Sequence, residues 1–252
     1  MTDAIRHDYI LTRARQNGSV QADRLAQDLN VAVQTIRRDL RQMSQAGLLE
    51  RVHGGAVLPS GVANIGYDAR RSLHRDFKRR IAKAAAGLIP DNASLFLNIG
   101  TTTEAVAQAL LNHRNLMVVT NNLNVANILA PHPSCEVIVA GGRLRRSDGG
   151  LTGDLAALAI QRFKVDIAVV GASAIDPDGD LLDFDAEEVR VSRQIMQAAR
   201  STIVVGDSSK FTRKAPVRIA SLADADHFVT DALPSERLAV ACQDWGTQVH
   251  LA

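Results

Sequence analysis

Apolar positions in the first third of the chain recur at helical spacing. Ile5, Tyr9, Ile10 and Ala14 predict a helix over 5–16 that Asn17-Gly18 stops, and Ala22, Leu25, Ala26 and Leu29 predict a second over 21–29. Ile36, Leu40 and Met43 predict a third over 33–45, separated from the second by a short break at Asn30. Gly47 ends that helix, and 48–57 then reads as two short strands turning at Gly54-Gly55. Three helices followed by a hairpin predict a winged helix-turn-helix.

The period changes further on. Residues 58–66 (LPSGVANIG) hold no apolar rhythm and predict a linker, after which Leu73, Phe77, Ile81 and Leu88 stripe a strongly basic helix. Short apolar runs rich in β-branched residues follow at 95–99, 117–120, 137–140, 167–170, 203–205 and 228–230, most of them separated by helical segments such as 104–111, 124–129, 187–199 and 235–244. Near-continuous apolar strands alternating with helices predict an α/β domain of Rossmann-like type, a parallel sheet covered on both faces. The expected organisation is a winged domain over 1–58, a linker and the start of a connecting helix over 59–72, and a second domain over 73–252.

Composition narrows the class. Of 252 residues, 46% are apolar and 22% charged, which excludes a disordered or fibrous chain. No apolar run approaches the length of a membrane span and the first residues are charged, so a cytoplasmic protein with no membrane partner is expected. Cys135 and Cys242 lack neighbours at metal-ligand spacing, and no disulfide, metal or cofactor is expected. Charge is lopsided: residues 1–83 hold 15 Lys or Arg against 8 Asp or Glu, while 84–252 hold 14 against 19. A basic N-terminal part suits a polyanion.

With Ile36, Leu40 and Met43 turned inward, the third helix leaves Gln34, Thr35, Arg37, Arg38 and Arg41 outward, side chains able to pair with adenine, guanine, thymine methyls or phosphates. His53 and Gly54 at the wing tip are expected to approach a sugar-phosphate edge. One winged domain offers limited contact area, so a homodimer or homotetramer on double-stranded DNA is implied.

In the second domain, Gly100-Thr101-Thr102 lies between a strand and a helix, where N–H groups and hydroxyls either cap the helix or receive an anionic oxygen. Thr120-Asn121-Asn122 and Gly141-Gly142 follow neighbouring strands, and Lys210 follows a fourth; such loops converge at one end of a parallel sheet. The acidic run 176–188 reads as a solvated loop and helix start, with Asp183 placed to reach a ligand hydroxyl.

These residues together resemble the DeoR-type bacterial transcriptional regulators. The N-terminal likeness rests on Gln34-Thr35-Ile36-Arg37-Arg38-Asp39-Leu40 and His53-Gly54-Gly55-Ala56, and the C-terminal one on Ile99-Gly100-Thr101-Thr102, Thr120-Asn121-Asn122, Gly141-Gly142 and Asp207-Ser208-Ser209-Lys210. The resemblance implies a sensor domain with the fold of sugar-phosphate isomerases and CoA transferases. Segments 105–113, 120–127 and 180–185 most resemble the branch that answers to glycerol 3-phosphate, which implies that effector and repression of the genes of its metabolism. Where the related isomerases carry an acidic Gly-Ala-Asp-Glu stretch, this chain has Gly171-Ala172-Ser173-Ala174, so binding without turnover is expected. A different sugar phosphate as effector, an isomerase-like enzyme with an accessory DNA module, and a DNA-packaging protein are the competing readings.

Overall fold

A computed structural model describes residues 3–17, 19–45, 48–52, 54–57 and 66–252. They divide into two compact units, Met1–Arg75 and Asp76–Ala252. His53, Gly18, Gly47 and most of the expected linker lie outside the described residues.

The first unit runs α1 (Asp3–Asn17), β1 (Ser19–Gln21), α2 (Ala22–Leu29), α3 (Val33–Gln45), β2 (Glu50–Val52), β3 (Gly55–Val57) and α4 (Tyr67–Ser72). The three helical stripes meet in one core: Ile10, Ala14, Leu25, Ile36, Leu40, Met43 and Leu49 are all buried. Asn30, left-handed at φ 49°, makes the tight turn between α2 and α3. The wing has a third strand that periodicity does not reveal, since β1 is only three residues long; the order is β1-β3-β2. Gly55 makes that closure possible. A Cβ there would stand 1.9 Å from the Val20 carbonyl oxygen, so only glycine lets β3 pair with β1 at this register.

The expected single basic helix is broken. His74, left-handed at φ 53°, separates α4 from α5 (Arg75–Gly87), and Leu73 and Ile81 are buried while Phe77 and Leu88 are half-buried.

The second unit continues with β4 (Ser94–Leu97), α6 (Thr101–Ala109), β5 (Leu116–Thr120), α7 (Leu123–Leu129), β6 (Cys135–Val139), β7 (Arg143–Arg145), β8 (Gly150–Thr152), α8 (Asp154–Ile160) and β9 (Val165–Gly171). After these come β10 (Ala174–Ile175), β11 (Asp180–Asp183), α9 (Ala186–Gln197), β12 (Ala199–Val205), β13 (Val217–Ser221), β14 (His227–Thr230), α10 (Glu236–Trp245) and β15 (Gln248–Leu251). Seven strands form a parallel sheet in the order β15-β14-β12-β9-β4-β5-β6. Its two faces follow from alternation along each strand: Leu95 and Leu97 bury against α5, α6 and α7, while Phe96 between them buries against α8 and α9. All six apolar runs read from the sequence are strands of this sheet; β15 escaped because Gln248 and His250 interrupt it. The first run ends at Leu97, two residues early, because Asn98 and Ile99 already turn toward α6.

The chain enters the sheet at β4, winds outward through β5 and β6, then returns to β9 on the other side of β4. That reversal between β4 and β9 is the topological switch point, where open α/β sheets form a crevice at the strands' carboxyl ends. Two short sheets frame this end: the β7–β8 hairpin and the set β10-β11-β13. Arg143–Arg145 and Asp180–Asp183 are three and four residues long with charged ends, too short for an apolar rhythm, so both were invisible in the pattern.

Candidate functional site

The outward face of α3 is as its period dictates. Gln34, Arg37, Arg38 and Arg41 are exposed and spaced i, i+3, i+4, i+7 on one side, with Thr35 half-buried at its flank. Gly54 is exposed at the wing, its φ of +79° one that side chains rarely adopt. Arg51, exposed on β2 beside it, was not singled out from the sequence and adds a cation to the wing.

What orients α3 is a buried ion pair that sequence reading missed. Arg6 of α1 donates from Nε to Asp39 Oδ2 (2.8 Å) and from Nη2 to Oδ1 (2.9 Å), with both side chains under 10% exposed. His7 Nε2 lies 3.3 Å from Asp39 Oδ1. Burial pushes the Asp39 carboxyl up, but the Arg6 guanidinium and, less, His7 outweigh it and hold it below its ordinary 3.8. Asp39 belongs to the same run as the reading residues yet faces inward, an acid among the buried positions of an amphipathic helix, which is the signal that called for a partner.

At the crevice end of the second unit, Gly100 and Thr101 are half-buried at the first turn of α6, and Thr102 is buried. Thr103 Oγ1 lies 2.7 Å from the carbonyl oxygens of both Asn98 and Gly100 and shares its one hydrogen between them, clamping the loop. The first N–H groups of a helix have no intrahelical acceptor, so this turn presents donors at the switch point.

Thr120, Asn121 and Asn122 at the end of β5 are buried and bound within the fold. Thr120 Oγ1 donates to Leu97 O (2.7 Å), Asn122 Oδ1 caps α7 at Asn124 N (2.9 Å), and Asn121 Nδ2 donates to Leu151 O (3.1 Å). Asn121 Oδ1 is buried with no hydrogen-bond partner among the described residues. Gly141 is exposed; Gly142 sits where a Cβ would meet Thr152 O at 2.8 Å, so it serves the packing of β8. Lys210, in the 3₁₀ turn Ser208–Thr212 after β12, is half-buried, its stem lying back over Gly206.

Sheet order limits which of these meet. Neighbouring strands are about 4.8 Å apart, so β12 and β6, each two strands from β4, put the Lys210 and Gly141-Gly142 loops about 20 Å apart along the sheet edge. The switch-point set Gly100, Thr101 and Thr102 lies between them. Asp183 reaches this end from β11: Ser173 Oγ, just after β9, donates to its Oδ2 at 2.8 Å. The stretch that lacks an acid in sequence therefore has one beside it in space.

A second feature missed from the sequence is Arg145 on β7. It donates to Asp148 (2.9 and 2.7 Å), to Asp185 (2.9 Å) and to Glu188 (2.5 Å), tying the hairpin to the start of α9. The acidic run is therefore not wholly solvated. Burial and the neighbouring Asp183 charge push the Glu188 carboxyl up to about 8, against the pull of Arg145. Beyond it, Ser192 Oγ donates to Glu188 O (3.0 Å) and Asn98 Nδ2 donates to Ser192 Oγ (2.9 Å), so the network reaches the end of β4.

Comparison with known proteins matches both units. Residues 6–62 match the DeoR-like helix-turn-helix domain and residues 73–232 the DeoR C terminal sensor domain. The glycerol-3-phosphate regulon repressor of Escherichia coli (strain K12) is 43% identical over 100% of both chains. The protein of the same name from Haemophilus influenzae is 44% identical over 93% of this chain and 91% of that one. The HTH-type transcriptional repressor CsqR of Escherichia coli (strain K12) is 41% identical over 100% of this chain and 96% of its own. Among solved structures, a D-ribose-5-phosphate isomerase in complex with phospho-erythronic acid aligns over 54% of each chain at 20% identity, with a TM-score of 0.41.

Proposed function

The chain belongs to the DeoR family, and from that premise we propose that it represses genes of glycerol-3-phosphate metabolism and leaves its operator when glycerol 3-phosphate binds the sensor unit. The observation that carries the reading is an outward stripe of Gln34, Arg37, Arg38 and Arg41 joined in one chain to a doubly wound sheet whose switch-point loop is Gly100-Thr101-Thr102. The stripe reads base edges, with Thr35, Gly54 and His53 on phosphates. Gly100, Thr101, Thr102 and Lys210 hold the phosphate of the effector, and Asp183 and the Asn121 acceptor take its hydroxyls. Thr120 and Asn122 shape that pocket, and Gly141 and Gly142 bound the crevice on its far, β6 side. The protein acts in the cytoplasm as a homodimer or homotetramer, because two copies are needed to cover a repeated site.

Linkage gives the test. If glycerol 3-phosphate weakens operator binding by some factor, operator DNA weakens glycerol 3-phosphate binding by the same factor. Anisotropy titrations on an operator fragment selected by the protein from genomic DNA, with and without the ligand, measure both. Operator affinity unchanged at saturating ligand removes the effector assignment; equal affinity for operator and scrambled DNA removes the repressor.

One observation favours a second reading. Asp183, 2.8 Å from Ser173 Oγ, supplies a carboxylate where isomerase-type chemistry would need one. Turnover of glycerol 3-phosphate or pentose phosphates by purified protein decides between binding and catalysis.

A further inference from the structure

The positive charge of the N-terminal part is not concentrated on the reading face. Residues 1–66 hold eight Lys or Arg against six Asp or Glu, whereas residues 67–83, in α4 and α5, hold seven against two. On α5, Ile81, Ala82, Ala85 and Ala86 are buried, while Arg75, Arg79, Arg80 and Lys83 are exposed. Arg75, Arg79 and Lys83 follow one another at four-residue steps, which places successive cations about 6 Å apart along the helix. Arg71 of α4 is exposed as well.

Among the described residues, little on this face neutralises the row. Asp76 is 92% exposed and 4.0 Å from Arg79, a wet and distant pair of small energetic weight. Arg80 lies over the Phe77 ring, 5.3 Å from its centroid, which holds its stem against the helix. No large apolar side chain interrupts the row, and the apolar side of α5 is already covered by the sheet core, so this helix has nothing to insert into a lipid surface. A regularly spaced row of solvated cations matches a regularly spaced polyanion, and duplex DNA repeats a phosphate about every 3.4 Å of axis on each strand.

We propose that Arg75, Arg79, Arg80 and Lys83 of α5 contact phosphates of duplex DNA whatever its sequence. They supply most of the electrostatic affinity, while Gln34, Arg37, Arg38 and Arg41 supply discrimination. This rests on the reading of the chain as a DNA-binding repressor.

The test uses the full chain carrying R75Q, R79Q and K83Q together, titrated over a range of KCl against the selected operator and a mixed-sequence duplex of equal length. The slope of log affinity against log salt should shrink by about two to three on both duplexes, about 0.9 for each lost contact, with the operator preference unchanged. R79Q alone should shrink it by about one, and R75K with R79K should preserve it. An unchanged slope, or a loss confined to the operator, overturns the proposal. So does a variant that keeps its slope but no longer self-associates, which would assign the row to an acidic face of a second copy. Wild-type protein that binds neither duplex instead removes the repressor reading on which this stands.

Discussion

The reading helix and the sensor crevice are both dense in polar residues, and the fold treats them in opposite ways. On α3 the polar side chains point outward and the apolar ones inward, so Gln34, Arg37, Arg38 and Arg41 stay available for a partner. At the ends of β4 and β5 the polar groups turn on one another: Thr103 clamps Asn98 and Gly100, Thr120 holds Leu97, and Asn122 caps α7. A helix on a unit's surface has a solvent side, so unpaired polar groups cost little there. Loops packed at a sheet end are buried, and a buried polar group without a partner is costly. A polar motif on a surface helix therefore indicates contacts directly, whereas one at a strand end first indicates internal bonding, with ligand contacts left to side-chain atoms that bonding does not use, such as Asn121 Oδ1.

The largest way to break this contrast is to remove the buried carboxylate of the reading helix. Asp39→Asn should destabilise the first unit by about 3 kcal/mol, because it strands the Arg6 guanidinium in a buried site, and Arg6→Met with Asp39→Leu should recover much of it. Urea unfolding followed by the helical signal of the first unit measures both. The wild-type contribution is present above the unfolded carboxyl's 3.8 and is lost as pH falls through the lower folded value. Acid should therefore reproduce the variant in wild-type protein and leave the double replacement unaffected.

Arg38→Ala should instead leave folding intact and cost about 1–3 kcal/mol of operator affinity, concentrated on the cognate sequence. Equal weakening on all duplexes would move Arg38 to the phosphates and erase the distinction between α3 and α5. At the crevice, Lys210→Met should lower glycerol 3-phosphate affinity by about tenfold to a hundredfold in calorimetry, with operator binding by the ligand-free protein unchanged. Unaltered ligand affinity would remove Lys210 from the effector site.

The smallest effect is a change of slope. The Glu188 carboxyl is pushed up to about 8 from an ordinary 4.5, so its contribution to stability is full below about 4.5 and is lost as pH rises through 8. In Glu188→Gln, with Arg145 still held by Asp148 and Asp185, the fall in stability of the sensor unit across that window should be smaller than in the wild type. A curve that keeps the wild-type fall would show that Glu188 stays ionised beside Arg145.

Much of the architecture was legible because burial imposes a period. Most of the stripes of α1, α2 and α3 and of the six apolar runs became core, Ile5 of α1 and Val139 of β6 staying exposed, and the order of strands and helices left a parallel sheet as the natural outcome. Elements whose residues serve hydrogen bonding more than burial were not legible: β1, β7, β11 and β15 are short or polar, and the break at His74 has no local signature. Sequence proximity also hid the acid beside Ser173, since Asp183 arrives there from another strand.

The sequence by itself determined which residues face outward on α3, which loops end the strands, and that the chain carries a basic part ahead of an acidic one, since these follow from helical geometry, strand alternation and a count of charges. Only the tertiary structure decided that Arg6 meets Asp39, that Arg145 gathers three carboxylates, and that the loops after β6 and β12 stand on either side of the switch point. Apart from Arg145 and Asp148, these pairs join residues 33 to 43 positions apart, and strand order is set by how the whole chain covers its apolar surface, which no local window contains.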